Sequence, residues 1–175
     1  MYKRRKFWRD VGSSLVCVAL CAGTILAAFV SCSAESDEVK EECIFSFVTL
    51  NGKTLSFSTG ESDGVEYLVY RLVADSSVEL EFPSEPKGSF KKFFYSFYFR
   101  GGGAANEGLD LNSVSFRNGE YRYEVYQEYS AQDSSTRVGV RVTNEQTGKE
   151  FEIQGRPETV KGSLVDFRFD ERIPR

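Results

Sequence analysis

The chain of 175 residues carries 22 basic and 26 acidic side chains, a formal charge of −4, and contains no histidine. The absence of histidine excludes Ser–His and Cys–His nucleophile activation, histidine general bases and imidazole ligands for metals. Residues 1–31 hold five basic groups and one acid, so the remainder carries −8, a charge that predicts no binding of nucleic acid or of anionic phospholipid surfaces.

The first 31 residues have the composition of an export signal. A basic segment, MYKRRKFWRD, precedes twenty uncharged residues, 11–30, that include a stretch of small residues. Basic residues at the start favour a cytoplasmic N-terminus, so the chain after Val30 is expected outside the cytoplasm. Because twenty residues at ~1.5 Å each also span the ~30 Å hydrocarbon core of a bilayer, an uncleaved signal anchor is the alternative. Residues 4–8, RRKFW, are similar to the twin-arginine export motif, although a basic segment also produces that pattern by chance.

The residues Phe29-Val30-Ser31-Cys32 resemble the lipobox of bacterial lipoproteins. In that family a peptidase cuts before a cysteine that already carries a diacylglycerol thioether. The resemblance implies that residues 1–31 are a signal peptide and that Cys32 is the site of lipidation. Several alkyl chains on one cysteine give stable membrane anchoring, where a single chain is marginal. The alternative is cleavage after Ala34 by ordinary signal peptidase, which would leave a soluble secreted protein.

Residues 32–42 form an acidic, serine-containing segment before the first predicted strand. We interpret it as a flexible tether, because acidic and Ser-rich segments are well solvated. It is also similar to the tether that directs some lipoproteins of the Bacteroidetes to the outer face of the outer membrane. This resemblance implies a lipoprotein of the cell envelope that is held in the outer membrane by its lipid and displayed at the surface.

The four cysteines all lie in the first 43 residues. Cys17 and Cys21 belong to the apolar part of the signal and are expected to be lost with it. Cys32 takes the lipid, so Cys43 is the single cysteine of the folded part and has no intramolecular partner. We predict a buried thiol at Cys43, with an intermolecular disulfide as the alternative. Because no histidine is available as a base, Cys43 is not expected to act as a nucleophile.

From residue 43 to residue 175 the chain alternates short β-rich segments with turn-forming residues, about every 8–12 residues. No helical amphipathic period follows the signal. We therefore predict a single all-β domain, an antiparallel β-sandwich of about ten strands, with a small up-and-down β-barrel as the alternative. The predicted strands are residues 43–50, 53–59, 66–73, 78–82, 91–100, 109–117, 120–129, 137–143, 150–155 and 160–169.

Two parts of this pattern make specific predictions about local structure. Asn51-Gly52, between two β-rich segments, predicts a hairpin closed by a type I′ turn, whose two central residues both need positive φ. In the last segment, alternation directs Val165, Phe167 and Phe169 towards the core from a closing strand.

The segment 91–100, KKFFYSFYFR, is apolar on both faces of the strand that it predicts. Four aromatic residues, beginning with Phe93, share one face, and Phe94 and Tyr98 lie on the other. Such a strand suits the middle of a sheet covered on both sides, which is the preferred interpretation, or it presents an exposed binding patch. For a ligand surface, we expect Phe94, Tyr98 and Arg100, together with the adjoining glycine loop 101–108.

The other candidate sites have simpler interpretations. The acidic loops 61–64 and 106–112 offer oxygen ligands, but neither matches an organised calcium loop, so we expect no metal and no cofactor. The glycine loop lacks the helix and the Gly-Lys-Ser/Thr of a phosphate-binding loop. The tyrosines between residues 121 and 129 are a candidate stacking platform for a glycan, although tyrosine is also common in strands for packing alone.

These observations favour an envelope-anchored, non-catalytic lipoprotein whose β-sandwich binds a protein or a glycan, or takes part in surface assembly. The alternative is a small enzyme that acts on polysaccharides through paired carboxylates. Two acidic side chains facing each other across a pocket, one of them with a raised pKa, would favour the enzyme. A third possibility is a barrel that holds an apolar ligand in an interior cavity.

Overall fold

A computed structural model of the protein describes residues 40–175. These residues all lie in one compact unit. The predicted signal peptide (residues 1–31), the predicted lipidation site Cys32 and most of the predicted tether (32–42) lie outside the described residues, so they stay predictions. Within residues 40–175, no helix is both long and apolar enough to cross a bilayer.

The described residues form ten strands and four short 3₁₀ helices. The strands are β1 (Glu42–Val48), β2 (Thr54–Ser62), β3 (Val65–Ala74), β4 (Ser77–Phe82), β5 (Phe94–Arg100), β6 (Leu109–Asn118), β7 (Tyr121–Ser130), β8 (Ser135–Asn144), β9 (Glu150–Gln154) and β10 (Lys161–Gly162). The 3₁₀ helices are Ser89–Lys92, Ala104–Asn106, Pro157–Thr159 and Leu164–Phe169.

The strands are arranged as two antiparallel sheets of five strands each. The first sheet has the order β10-β1-β2-β3-β4, and the second has the order β5-β6-β7-β8-β9. This arrangement confirms the predicted all-β sandwich. A barrel would close one sheet on itself, whereas each of these sheets is open at both ends of its strand order.

The core between the sheets is built from the alternating apolar residues of the strands. Inward side chains such as Phe57, Tyr70 and Phe116 are almost fully buried, as the period-two pattern of a half-buried strand requires. Aromatic rings join the sheets, since the ring of Tyr70 in β3 lies 4.8 Å from that of Phe116 in β6. Phe57 also makes edge-to-face contacts with Phe93 and Phe167, each with centroids 5.7 Å apart. The segments around β5 and after β10 are thus packed into the same core.

The first hairpin is present, but the prediction of a type I′ turn is wrong. β1 and β2 are joined by residues 49–53, and the Gly52 N–H donates to the Thr49 carbonyl (3.0 Å). In this loop positive φ occurs at Gly52 (+86°) and not at Asn51, whereas a type I′ turn needs it at both central residues. The Thr49 hydroxyl oxygen accepts the Lys53 N–H (2.9 Å), which stabilises the longer loop.

Cys43 is exposed, so the prediction of a buried thiol is wrong. A β-bulge lies between Cys43 and Phe45, where β1 contributes one residue more than β2. Cys43 pairs with Ser58 and Phe45 pairs with Phe57, so the alternation that buries Phe45 and Phe47 is interrupted before it reaches the cysteine. The thiol is therefore on the surface because of the pairing with a second strand.

The predicted closing strand 160–169 is wrong over most of its length. β10 has only two residues, and a 3₁₀ helix follows it. Residues three apart share one face of a 3₁₀ helix, and Leu164 and Phe167 are accordingly buried. Val165 is half-buried, and Phe169, which alternation directed inward, is 80% exposed.

Candidate functional site

β5 is an edge strand, so the preferred prediction of a central strand covered on both faces is wrong. It pairs with β6 alone, from Phe94 opposite Ser115 to Arg100 opposite Leu109. The two lysines predicted to open the strand belong instead to the 3₁₀ helix Ser89–Lys92. This helix carries the chain across from the first sheet to the second.

Four aromatic side chains of β5 are exposed. Phe93 and Tyr95, by contrast, are buried in the core. An edge strand has a neighbour on one side only, so its side chains lack part of the cover that a central strand receives. Contiguous exposed apolar side chains are characteristic of interaction sites. We call residues 94–99 the aromatic edge; its exposed members are Phe94 (54%), Phe97 (45%), Tyr98 (52%) and Phe99 (59%).

The backbone of the aromatic edge is open on the side away from β6. The Tyr95 N–H donates to the carbonyl of Pro174 in the C-terminal tail (2.8 Å). Because backbone groups alternate in direction along a strand, the N–H groups of Phe97 and Phe99 also point away from β6. The C-terminal tail therefore covers the start of this edge. At its second half, the guanidinium carbon of Arg168 lies 4.6 Å from the centre of the Phe97 ring, but within the described residues Phe97 and Phe99 make no backbone hydrogen bond on this side.

Charge distinguishes the aromatic edge from the edges formed by β4 and β9. β4 carries Glu79 and Glu81, and β9 carries Glu150 and Glu152. Charged residues on edge strands oppose pairing with other chains. β5 has no charged residue before Arg100, which ends it. The aromatic edge is therefore better suited to accept another strand than either of these two edges.

The three residues predicted to form a ligand surface lie on the same outer face of β5, but in different surroundings. Phe94 lines a cavity at the start of the strand, and Tyr98 borders a shallow groove of about 230 Å³. Arg100 Nε donates to the Glu107 carbonyl (2.9 Å). This bond holds the glycine loop 101–108 against the end of β5. Arg100 thus supports the loop, while Phe94 and Tyr98 are exposed.

The cavity beside Phe94 has a volume of about 640 Å³, and we call it the basic notch. β5 pairs with β6 only as far as Ser115, whereas β6 continues to Asn118 along β7. The second sheet is one strand narrower beyond Ser115, and the notch opens there. Three aromatic residues, four basic residues and one serine line the notch. They are Phe82, Phe94, Phe116, Lys91, Lys92, Arg117, Arg122 and Ser115.

The basic notch was not predicted from the sequence, although the position of two of its lining residues could have been inferred. A hairpin at Asn118-Gly119 pairs Arg117 directly with Arg122. Like charges directly opposite each other in a β-ladder are destabilising, so we expect an oppositely charged side chain near each arginine. Arg117 lies 3.0 Å from Glu145, and Arg122 lies 3.5 Å from Glu124. The other lining residues come from β4 and from the 3₁₀ helix before β5, which no local pattern connects with this hairpin.

The tyrosines of β7 are not arranged as a continuous stacking platform. Tyr123 stacks on a phenylalanine of β6 inside the sandwich, with ring centroids 5.0 Å apart. Tyr126 is buried beneath Arg141, whose guanidinium carbon lies 4.1 Å from the centre of the ring. Tyr121 and Tyr129 are partly exposed but lie at opposite ends of the strand. The geometry does not favour a glycan platform on β7.

Tyr126 and Glu152 are joined by a hydrogen bond on the outer face of the second sheet. The Tyr126 hydroxyl donates to Glu152 Oε1 (2.7 Å). Burial, and then this bond to an anion, raise the pKa of Tyr126, and the same bond lowers the pKa of Glu152. Arg141 pairs with Glu124 (3.1 Å) and with Glu128 (2.6 Å). The charged side chains of this face are therefore engaged with one another.

Hydrogen bonds from neighbouring side chains favour the ionised form of four carboxyl groups in the described part of the chain. Within residues 40–175, no three histidine, cysteine or acidic side chains are grouped so as to hold a metal ion. Four carboxyl groups have a lowered pKa, in each case chiefly because a neighbouring side chain hydrogen-bonds to the ionised form. The general acid of a glycosidase needs the opposite shift. These four groups are Glu41, Asp133, Glu152 and Asp170.

Comparison of the chain with protein-family models, with curated protein sequences and with solved structures gave no match. A sandwich fold by itself does not define a function. The function is therefore inferred from the residues of the aromatic edge and of the basic notch.

Proposed function

We propose that the protein is an envelope-anchored, non-catalytic assembly module, in which the aromatic edge of one copy pairs with the aromatic edge of a second copy. The observation that carries this proposal is an exposed edge strand with no charged residue from Phe94 to Phe99. Such an edge is a template for strand addition, since its outward N–H and C=O groups are available for pairing. Burial of its aromatic side chains supplies free energy for the association.

The open backbone groups define the register of this pair. Pro174 already accepts the Tyr95 N–H, so pairing begins beyond Tyr95. The next outward-facing residues are Phe97 and Phe99. An antiparallel arrangement matches Phe97 of each copy with Phe99 of the other and keeps the Pro174 contact intact. The two sheets then join into one continuous sheet across a two-fold axis.

This register puts Tyr98 on the two-fold axis. Tyr98 then faces its own counterpart at a non-hydrogen-bonded position, where paired Cα atoms are ~4.5 Å apart. Ser96 lies opposite Arg100 of the second copy, so the two Ser96 residues are separated by four positions, roughly 14 Å. Ser96 and Tyr98 are both exposed on the same face of β5. They give a matched pair of positions for a test of the register.

Disulfide trapping in intact cells tests the pairing. The background is Cys43→Ser, which removes the exposed thiol of the described residues. Tyr98→Cys is expected to give a disulfide-linked dimer under oxidising conditions, because its Cα separation suits a disulfide. Ser96→Cys is the matched control and should stay monomeric, because its two sulfur atoms are too far apart. A dimer from Ser96→Cys alone, equal dimers from both variants, or none from Tyr98→Cys would overturn the proposal.

The anchoring part of the proposal rests on the lipobox resemblance of residues 29–32. A lipid on Cys32 would hold the module in the outer membrane, and the acidic tether would keep the sandwich away from the lipid surface. Membrane anchoring also favours the pairing itself. Copies confined to one plane meet at a high effective concentration, so a short strand contact is enough.

Three other functions have less support. The four lowered carboxyl pKa values do not favour a small polysaccharide-active enzyme that depends on a protonated carboxyl group. Tyr123 is stacked inside the sandwich and Tyr126 lies beneath Arg141, so the β7 tyrosines do not form a shared surface that favours glycan binding. The space between the sheets is occupied by core side chains, which does not favour an apolar ligand held in the interior.

A further inference from the structure

The basic notch exists because two neighbouring strands end at different places. β6 extends beyond its last pair with β5 by the residues Phe116–Asn118. The Tyr95 N–H points away from β6, so the backbone groups of Phe94 point towards β6 and those of its partner Ser115 point towards β5. Arg117 lies two residues beyond Ser115, so its N–H and C=O point to the same side, into the gap left by β5. β4 and the 3₁₀ helix before β5 supply the other walls. The notch is thus a recess at a sheet edge with accessible backbone groups on one side.

The floor of the notch is aromatic. The rings of Phe82 and Phe116 stack, with centroids 4.5 Å apart and planes at 16°. The exposed ring of Phe94 borders the opening. Burial of apolar surface away from water is favourable by ~25 cal/mol for each Å² buried. Phe116 is itself almost fully buried, so an apolar chain in the notch would gain that free energy by covering the exposed ring of Phe94 and the half-buried ring of Phe82.

The rim of the notch is basic, although the surrounding protein is acidic. Residues 40–175 have 17 basic and 22 acidic side chains, yet four basic residues and no acidic residue line the notch. Arg117 and Arg122 each have a glutamate partner outside the lining. Lys91 and Lys92 form no ion pair with any residue in the described part of the chain. This excess of positive charge beside an apolar floor favours a ligand that carries a negative charge.

We infer that the basic notch binds a small anionic amphiphile, a single alkyl or aryl chain that ends in a carboxylate. The chain lies on the phenylalanine floor. The carboxylate is held between the lysines of the 3₁₀ helix and the arginine pair of the β6–β7 hairpin, where charge-assisted hydrogen bonds are available. The volume of about 640 Å³ falls within the ~300–1,000 Å³ typical of small-molecule sites. Phe94 lines the notch and also belongs to the aromatic edge, but the proposed pairing begins beyond Tyr95, so ligand binding in the notch does not use the backbone groups of that pairing.

Calorimetric titration of the full-length protein in phosphatidylcholine nanodiscs tests this inference, with empty nanodiscs as the blank. The probes are decanoate and decanamide, which have the same chain and differ in the charge of the head. We expect decanoate to bind about tenfold more tightly, a difference of ~1.4 kcal/mol. Equal affinities of the two probes, or no binding of decanoate, would show that the notch does not select an anion.

Charge reversal at the rim separates the notch from general electrostatic effects. Lys91→Glu/Lys92→Glu should weaken decanoate binding about tenfold and leave decanamide binding unchanged. Lys149→Glu/Lys161→Glu is the matched control, because it changes the net charge equally at exposed lysines outside the notch. Phe94→Ser should weaken both probes alike, since it removes part of the apolar surface. Equal weakening of decanoate by both double variants would overturn the inference.

The phosphate headgroup of an anionic phospholipid offers the same combination of chain and negative charge. Nanodiscs that contain phosphatidylglycerol distinguish this source from a free carboxylic acid. If the ligand is a free acid, the affinity for decanoate stays the same in these nanodiscs. Competition by phosphatidylglycerol would assign the notch to a bilayer lipid and would contradict the proposed ligand.

Discussion

The ring of Phe82 stacks on the ring of Phe116, with centroids 4.5 Å apart, and so joins the edge strand of the first sheet to the second sheet. Phe82 ends β4, and Phe116 lies in β6 just beyond the part that β5 covers. Phe93 packs beside both rings, at 5.5 Å from Phe82 and 5.6 Å from Phe116. The same contact therefore stabilises one end of the sandwich and forms the floor of the basic notch.

Phe82→Ala is expected to lower the free energy of unfolding by about 3 kcal/mol. This is the lower end of the range for phenylalanine in a core, because Phe82 is only partly buried. Val78→Ala on the same strand is the control and should cost less than about 1 kcal/mol, since Val78 is 51% exposed. Chemical denaturation of the three proteins measures both values. Similar costs for the two variants would mean that the stacked pair contributes little to joining the sheets.

Gly162→Ala should be far more destabilising than Gly148→Ala, although both glycines have a similar positive φ of +73° and +68°. A Cβ at Gly162 would lie 1.7 Å from the carbonyl oxygen of Ile44, whereas a Cβ at Gly148 would meet nothing within 4 Å. The shared backbone strain costs ~1–2 kcal/mol. The clash at Gly162 adds a further ~1–3 kcal/mol. Equal midpoints of thermal unfolding for the two variants would show that β10 moves away from β1 at no cost.

Glu41 stabilises the folded protein at neutral pH, and this contribution to the free energy of unfolding is lost in acid. Arg71 Nη2 donates to Glu41 Oε1 (2.9 Å), and the Tyr67 hydroxyl donates to the same oxygen (2.7 Å). The hydrogen bond from Arg71 is the main reason that the pKa of Glu41 is lowered, and it outweighs the opposing effect of burial. A carboxyl group with a lower pKa in the folded state stabilises the protein above its unfolded pKa of ~4.3 and loses this contribution as the pH falls through the folded pKa.

Glu41→Gln is therefore expected to reduce the dependence of the unfolding free energy on pH below about pH 5. At pH 7 the variant should be less stable than the native protein by about 1 kcal/mol, since the lost pair is partly exposed. Arg71 Nη1 also donates to Glu41 Oε2, so the contact is bidentate. Arg71→Lys keeps the charge but loses this bidentate contact, so it should give an intermediate dependence. Urea denaturation at a series of pH values measures the slope. An unchanged slope in Glu41→Gln would contradict the assigned role of Arg71.

Cys32→Ser is expected to abolish lipidation and membrane retention of the chain. In the native protein, mass spectrometry should find a mature N-terminus at a diacylated Cys32. Proteinase added to intact cells should remove the sandwich if the lipoprotein is displayed at the surface. Protection from the proteinase would assign it to the periplasmic side. An unmodified N-terminus at Glu35 would contradict the anchor and indicate a secreted protein.

Much of the fold was predictable, because alternation in a strand depends only on neighbouring residues. Nine of the ten strand segments, the sandwich class and the inward positions of residues such as Val138, Val140 and Val142 follow from a period of two. Predictions failed where pairing with another strand decides the outcome. The bulge that turns Cys43 outward requires the register of β1 against β2. Likewise, the two-sided pattern of residues 91–100 is the same for a central strand and for an exposed edge.

The candidate site was predictable only in part, for a similar reason. The sequence by itself determined that the protein is rich in strands, acidic overall and without histidine, and that Phe94 and Tyr98 share a face of an aromatic strand. Only the tertiary structure decided that this strand lies at an edge and stops at Ser115, so that four basic residues surround an apolar recess. Net charge is a sum over the chain, whereas a binding site depends on distances, and these are set by which strands pair and where each one ends.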